Sequence, residues 1–175
     1  GTAAVKKHVF AEVTDVSGLG MAYSVGKFDG ICGMAWPSIA VNGVPPIFFQ
    51  ALQEGVVQES VFGFYLGKAN GDAGEMDIGG IDKNHYTGTL NYFPLTSKTY
   101  WEGNFDDMSV GTHSGVTKTT RFVVDSCTSL IAGPSADVKA IADLVGAKPF
   151  FLNPKEYTVD CSSINTLPTI TWTIN

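Results

Sequence analysis

The strongest constraint on the fold is an alternation of apolar and polar residues with a period of two. Residues 169–174 alternate strictly between threonine and a large apolar residue, and residues 61–66 place Phe62, Phe64 and Leu66 on one face. This is the period of a β-strand that buries one face. Glycine-containing turn segments such as residues 113–115 separate these stretches. We therefore predict a mostly β chain.

Two short helices are predicted, over residues 47–57 and directly after Pro134. Ser135 is the expected N-cap of the second helix, where Asp137 would favour the positive end of the helix dipole. Gly146 is the expected C-terminal stop. The apolar stripes of the two helices, which we interpret as core packing, consist of Phe48, Leu52 and Val56 in the first and Val138, Ile141, Leu144 and Val145 in the second.

Composition and charge exclude several classes of protein. Apolar residues make up 44% of the chain, which argues against disorder, and charged residues only 16%. The formal net charge is −6 and the lysines and arginines are scattered, so we expect no nucleic-acid partner. No apolar run approaches the roughly 20 residues of a membrane span, and none resembles a signal peptide. We therefore expect no membrane partner.

Cysteines and histidines do not form a recognisable metal site. The cysteines are Cys32, Cys127 and Cys161, and the histidines are His8, His85 and His113. Their spacing matches no zinc motif, so we predict no metal and no cofactor. The odd cysteine count leaves at least one thiol without a partner in the chain, and buried free thiols and a disulfide both remain open.

Residues 121–134 carry the most chemical information. An apolar strand places Asp125 among the small hydroxyl residues Ser126, Thr128 and Ser129, and a second apolar patch and a helix follow. A carboxylate in that setting is expected to be partly desolvated and surrounded by hydrogen-bond donors, which suits acid–base work. The alternative is an ordinary turn aspartate, which is common.

The same stretch resembles the second active-site motif of pepsin-like and cathepsin D-like aspartic proteases: two hydrophobic residues, Asp, Thr or Ser, Gly, Thr, Ser. Further segments resemble this family in the family's order, namely residues 28–39, 62–66, 78–82, 100–101 and 161–170. The resemblance implies part of the bilobal, β-barrel-like pepsin fold. Residues 1–95 would form the second half of the N-terminal lobe with the inter-lobe region, and residues 96–175 the first half of the C-terminal lobe.

The resemblance also implies the chemistry. Asp125 would be catalytic, with Ser126, Cys127, Thr128 and Ser129 forming the active-site shell and Thr128 a contact for the substrate backbone. The family uses two aspartates that share one proton across a bound water. The implied activity is acidic endopeptidase cleavage of a peptide or protein with bulky apolar side chains, sensitive to pepstatin-like inhibitors. The implied location is secreted or lysosomal/vacuolar.

Two departures from the family pattern bear on activity. The first Asp-Thr-Gly motif and the flap are absent from these 175 residues, so we expect the chain alone to be inactive without a companion chain or self-association. Cys127 stands where the family has glycine, and a side chain there would crowd the aspartate pair. A catalytically inactive pseudoprotease, or a fragment that acts as a peptide- or protein-binding module, is therefore the alternative function. A Cys127 nucleophile is disfavoured, because no histidine is placed to activate it.

The resemblance also bears on the odd cysteine count. Cys161 is similar to a family cysteine whose disulfide partner lies further along the second lobe, past the position of Asn175. That pairing would leave Cys161 without a partner among these residues. A special role for its thiol is then unnecessary.

Overall fold

Short strands and a few short helices make up the regular structure. A computed structural model of the chain describes residues 3–68 and 71–175. The α-helices are α1 (Met21–Val25), α2 (Ile47–Gln53) and α3 (Ser135–Val145). The strands are β1 (Phe62–Tyr65), β2 (Glu75–Ile78), β3 (Glu102–Asn104), β4 (Asp107–Val110), β5 (Arg121–Val123), β6 (Lys148–Phe150), β7 (Asn153–Thr158) and β8 (Ile170–Thr173). Single turns of 3-10 helix lie at Ser17–Leu19, Pro37–Ile39, Val41–Gly43, Lys83–His85 and Cys161–Ser163. The predicted mostly β class is confirmed.

The strands pair as antiparallel two-stranded sheets: β1 with β2, β3 with β5, β4 with β8, and β6 with β7. Within the described ranges these pairs do not close into a barrel. β1 and β8 lie inside the stretches of alternating residues at 61–66 and 169–174, so both predicted strands are confirmed. None of the helices in these ranges is long and apolar enough to cross a membrane.

The chain forms two compact units, Gly1–Leu90 and Asn91–Asn175. The core of the first consists of Phe48 and Ala51 of α2 together with Val57. The Phe48 ring meets Phe62 of β1 edge to face at 5.0 Å, which joins the helix to the hairpin. α2 ends at Gln53 rather than at residue 57, because Gly55 has a φ of 69° and leaves the helical region. The assignment of these stretches to family lobes stays a prediction.

The core of the second unit forms where α3 covers the β4–β8 pair. Its buried residues are Phe105, Met108 and Val110, against which Phe122, Ile141, Val145 and Ile170 pack. Gly146 ends α3 in the left-handed region with a φ of 75°, as predicted. The predicted N-cap was wrong: Pro134 occupies that position, and Ser135 is already helical and gives no capping hydrogen bond.

Truncation of Met108 is expected to destabilise the second unit. Its side chain is 1% exposed, and replacing such a methionine by alanine costs about 2–5 kcal/mol through lost burial and a residual cavity. Met21→Ala is the matched control, because Met21 is 78% exposed and should change stability by less than about 0.5 kcal/mol. Urea unfolding followed by circular dichroism gives both values. Equal shifts for the two variants would contradict the packing described here.

Candidate active site

Asp125 lies at the first position of a tight turn that follows β5. The Val124 N–H donates to the Trp101 carbonyl at 3.0 Å, so hydrogen bonding to the β3 side continues one residue past β5. The chain then turns, and the Thr128 N–H donates to the Asp125 carbonyl at 3.3 Å. An apolar strand therefore delivers the aspartate into a turn of small residues, as predicted.

Each oxygen of the Asp125 carboxylate has a donor from the same turn. The Cys127 N–H donates to Oδ1 at 2.9 Å and the Thr128 hydroxyl to Oδ2 at 2.5 Å. These bonds favour the charged form, so they lower the pKa of Asp125, the Thr128 hydroxyl contributing most and the Cys127 N–H next. The carboxylate consequently stays ionised at more acidic pH than an ordinary aspartate.

The expected partial desolvation of Asp125 was wrong. Asp125 and residues 126–129 are all exposed, because no described residue covers this turn. In the described part of the chain, neither Ser126 nor Ser129 donates to the Asp125 carboxylate. Of the predicted shell, the structure thus brings only the Cys127 amide and the Thr128 hydroxyl to the carboxylate. The roles of the four shell residues stay predictions.

A cavity of about 570 Å³ opens beside the turn. Asp125 and Thr128 lie on its wall, and its apolar lining includes Phe122, Leu130, Ile131, Val138 and Trp172. A concave apolar surface of this size with a few polar groups suits an extended ligand that buries an apolar side chain.

Cys127 stands at the position where the resemblance implies glycine. Its φ lies outside the left-handed region, so the turn does not require glycine, and its N–H still donates to Asp125. The thiol is free and exposed, as are the thiols of Cys32 and Cys161. Cys127 therefore supplies an amide donor to Asp125 and also presents an exposed thiol at the turn.

The histidines have other neighbours. His8 shares a hydrogen bond with Gln50, and His113 pairs with Val110 through backbone bonds. The His85 ring stacks on Tyr65 at 4.4 Å. Nothing among the described residues places an imidazole against Cys127. Over the same ranges no group of three or more His, Cys, Asp and Glu side chains is arranged to hold a metal ion.

Asp137 has a larger role near this site than sequence reasoning assigned to it. We expected it to favour the helix dipole at the start of α3. Its carboxylate also accepts the backbone N–H groups of Lys118 and Thr119 at 3.0 and 3.1 Å. These donors lie 19 and 18 residues away in the sequence, so no local pattern signals the contact.

A family profile and individual relatives both relate the chain to aspartic proteases. The sequence profile of the eukaryotic aspartyl protease family matches residues 1–175. The chain is 44% identical to cathepsin D of Dictyostelium discoideum over 99% of its length, and 41% identical to vacuolar protease A of Aspergillus fumigatus over 99%. It is 40% identical to the probable vacuolar protease A of Arthroderma benhamiae over the full 175 residues of this chain. The matches cover 45%, 43% and 43% of those relatives, so the chain spans less than half of their length.

Proposed function

Since the chain belongs to the eukaryotic aspartyl protease family, we propose that it supplies Asp125 as one of the two catalytic carboxylates of an endopeptidase that cleaves proteins at acidic pH. The observation that carries the proposal is the Asp125 turn itself. Two donors from that turn hold an ionised carboxylate beside an apolar cavity. A carboxylate that remains charged in acid suits the general-base half of the reaction.

In the proposed reaction, ionised Asp125 accepts a proton from a water molecule as the water oxygen attacks the scissile carbonyl carbon. A second carboxylate, protonated at that moment, donates its proton toward the carbonyl oxygen, and the developing charge is stabilised. The peptide C–N bond breaks once Asp125 has passed the proton it took from the water to the departing nitrogen, while the second carboxylate takes back the proton from the former carbonyl oxygen as the C=O bond re-forms. Two carboxylates close enough to contact the same water molecule repel each other when both are charged, so they share one proton. The pair therefore works only in a limited pH range.

The proposed substrate is an extended peptide or protein with bulky apolar side chains near the cut. The apolar cavity wall beside Asp125 supports this choice, because burial of a large apolar side chain contributes about 1.5–3 kcal/mol. Pepstatin-like inhibitors would compete for the same surface. We propose that the protein is secreted or lies in a lysosome or vacuole. The names of the vacuolar relatives support the second location.

The second carboxylate would come from outside these residues, for example from a companion chain or a second copy of this chain. Only Asp125 occupies an active-site motif in these residues. Large apolar side chains close to it are exposed, with Val124 63%, Leu130 60% and Ile131 64% accessible. Exposed apolar groups clustered in this way favour association.

A peptide-binding pseudoprotease is the second candidate function. It is favoured by Cys127, which stands at the position where the resemblance to the family implies glycine. Such a protein would use the apolar cavity for binding and would leave the peptide intact. It would retain affinity for apolar peptides without turnover.

Cleavage of a quenched apolar peptide, followed across chain concentrations at acidic and neutral pH, separates the two functions. We expect acid-dependent turnover that pepstatin inhibits and that rises with concentration as the second carboxylate is supplied. Folded protein that binds the peptide yet never cleaves it, even when a second active-site aspartate is supplied, would contradict the endopeptidase and favour the pseudoprotease.

A further inference from the structure

Asp137 is the one charged residue in the described ranges that is buried, with 8% of its surface exposed. It lies in the first turn of α3, where a negative charge also favours the helix dipole. Burial of a carboxylate is costly unless hydrogen bonds compensate it. Its bonding partners therefore indicate what the residue does.

Both carboxylate oxygens of Asp137 are engaged by the segment that leads into β5. Oδ1 accepts the Lys118 N–H at 3.0 Å and Oδ2 the Thr119 N–H at 3.1 Å. The Thr119 side chain, followed by the Lys118 N–H, lowers the pKa of Asp137, so it remains a charged acceptor under acidic conditions. A two-oxygen, charge-assisted contact of this kind sets position as well as contributing energy.

This contact closes a loop that contains the Asp125 turn. Thr119 lies just before β5, and Asp125 lies just after it. From Asp125 the chain runs through residues 128–134 and enters α3, which carries Asp137. Asp137 thus connects the start of α3 to the residues that enter β5. β5 precedes the Asp125 turn in the chain and α3 follows it.

Other contacts also hold the entry to β5: the Thr117 hydroxyl donates to the Thr119 carbonyl at 3.0 Å, and Phe122 packs against the Phe105 core. Phe105 N–H donates to the Thr120 carbonyl at 2.8 Å, and β5 itself pairs over only three residues with β3. Asp137 and Thr119 also line the same cavity as Asp125. Movement of α3 relative to this segment would therefore change the distance that the chain between β5 and α3 must bridge. It would also change the shape of the cavity beside the Asp125 turn.

We propose that Asp137 is a positioning residue, which holds the Asp125 turn in place by tying α3 to the segment entering β5. The inference rests on the proposed function in one respect, the catalytic role of Asp125. Asp137 does not touch the Asp125 carboxylate, and it acts through the backbone of residues 118–119.

The test measures the titration of the Asp125 carboxyl carbon by NMR in the whole 175-residue chain, with the signal assigned by its loss in Asp125→Asn. In Asp137→Ala and Asp137→Asn we expect the Asp125 midpoint to move upward, because the turn no longer holds both donors on the carboxylate. Asp143→Asn is the matched control. It removes a carboxylate from the same helix, where the exposed Asp143 side chain forms an ion pair with Lys139, and it should leave the midpoint unchanged.

Amide exchange keeps the result interpretable. The Val110 N–H, which donates to the His113 carbonyl in the core of the same unit, should stay as protected as in the parent chain. An unchanged Asp125 midpoint in folded Asp137→Ala would overturn the proposal. Lost Val110 protection in both Asp137 variants would also overturn it, because the residue would then serve the fold as a whole. The titration needs no turnover, so its result is independent of the proposed function. An inactive chain can still show the expected shift of the Asp125 midpoint, and an active chain can lack it.

Discussion

Replacement of Asp125 by asparagine is expected to lower kcat/KM for acid peptide hydrolysis by about 10²–10⁴-fold, the usual contribution of a positioned general base. Asparagine keeps one oxygen that can accept the Cys127 N–H, and its amide NH2 can donate to the Thr128 hydroxyl oxygen, so the turn should survive while the proton acceptor is lost. The measurement is the initial rate on a quenched apolar peptide, at a chain concentration where the parent is active.

Asp160→Asn is the matched control for that experiment. Asp160 also accepts an N–H and a hydroxyl from the residue two positions on, Ser162, at 2.9 and 2.8 Å. It thus has nearly the same local chemistry as Asp125, but it does not line the cavity. Comparable rate losses in the two variants would attribute the effect to turn stability rather than to catalysis.

The second large effect is expected from Thr128→Val, which removes the hydroxyl donor and keeps the shape of the side chain. Because that hydroxyl is the main cause of the lowered pKa, its loss should raise the pKa of Asp125 toward the ordinary aspartate value. The acidic limb of the kcat/KM profile should then move to higher pH, and the rate below that limb should fall severalfold. Thr128→Ser keeps the hydroxyl and should preserve the parent profile.

The same substitution has a defined effect on stability. The folded-state pKa of Asp125 lies below its unfolded value, so the ionised group stabilises the fold above the ordinary aspartate pKa of 3.8. That contribution is lost as the pH falls through the folded pKa. Thr128→Val should therefore be less stable than the parent near neutral pH, and the difference should shrink in strong acid. A difference that grows with acidity would contradict the described hydrogen bonds.

Much of the fold follows from local sequence. β1 and β8 could be predicted because alternation with a period of two is a local property, and α3 because Pro134 and Gly146 bound an apolar stripe. α1 carries no comparable signal. It is five residues long, lies between Gly20 and Gly26, and buries no residue, so neither an apolar stripe nor a side-chain cap marks it.

The candidate site was predictable only in part. The Asp125 turn and its Thr128 donor involve neighbours in the sequence, so residue order indicates them. The exposure of Asp125 depends on which residues cover the turn, and the sequence does not encode that locally. The contact of Asp137 with residues 118–119 depends on where the start of α3 lies relative to that segment, which is a tertiary property.

The most direct test of the carboxylate mechanism compares Asp125→Asn with Cys127→Ser in one acid peptide-cleavage assay. The two residues share a turn, but only one of them is proposed to carry out the chemistry. We predict that Asp125→Asn loses turnover while Cys127→Ser retains it near the parent rate, with pepstatin inhibition intact. Loss of turnover in Cys127→Ser together with retained turnover in Asp125→Asn would contradict the mechanism and point to the thiol.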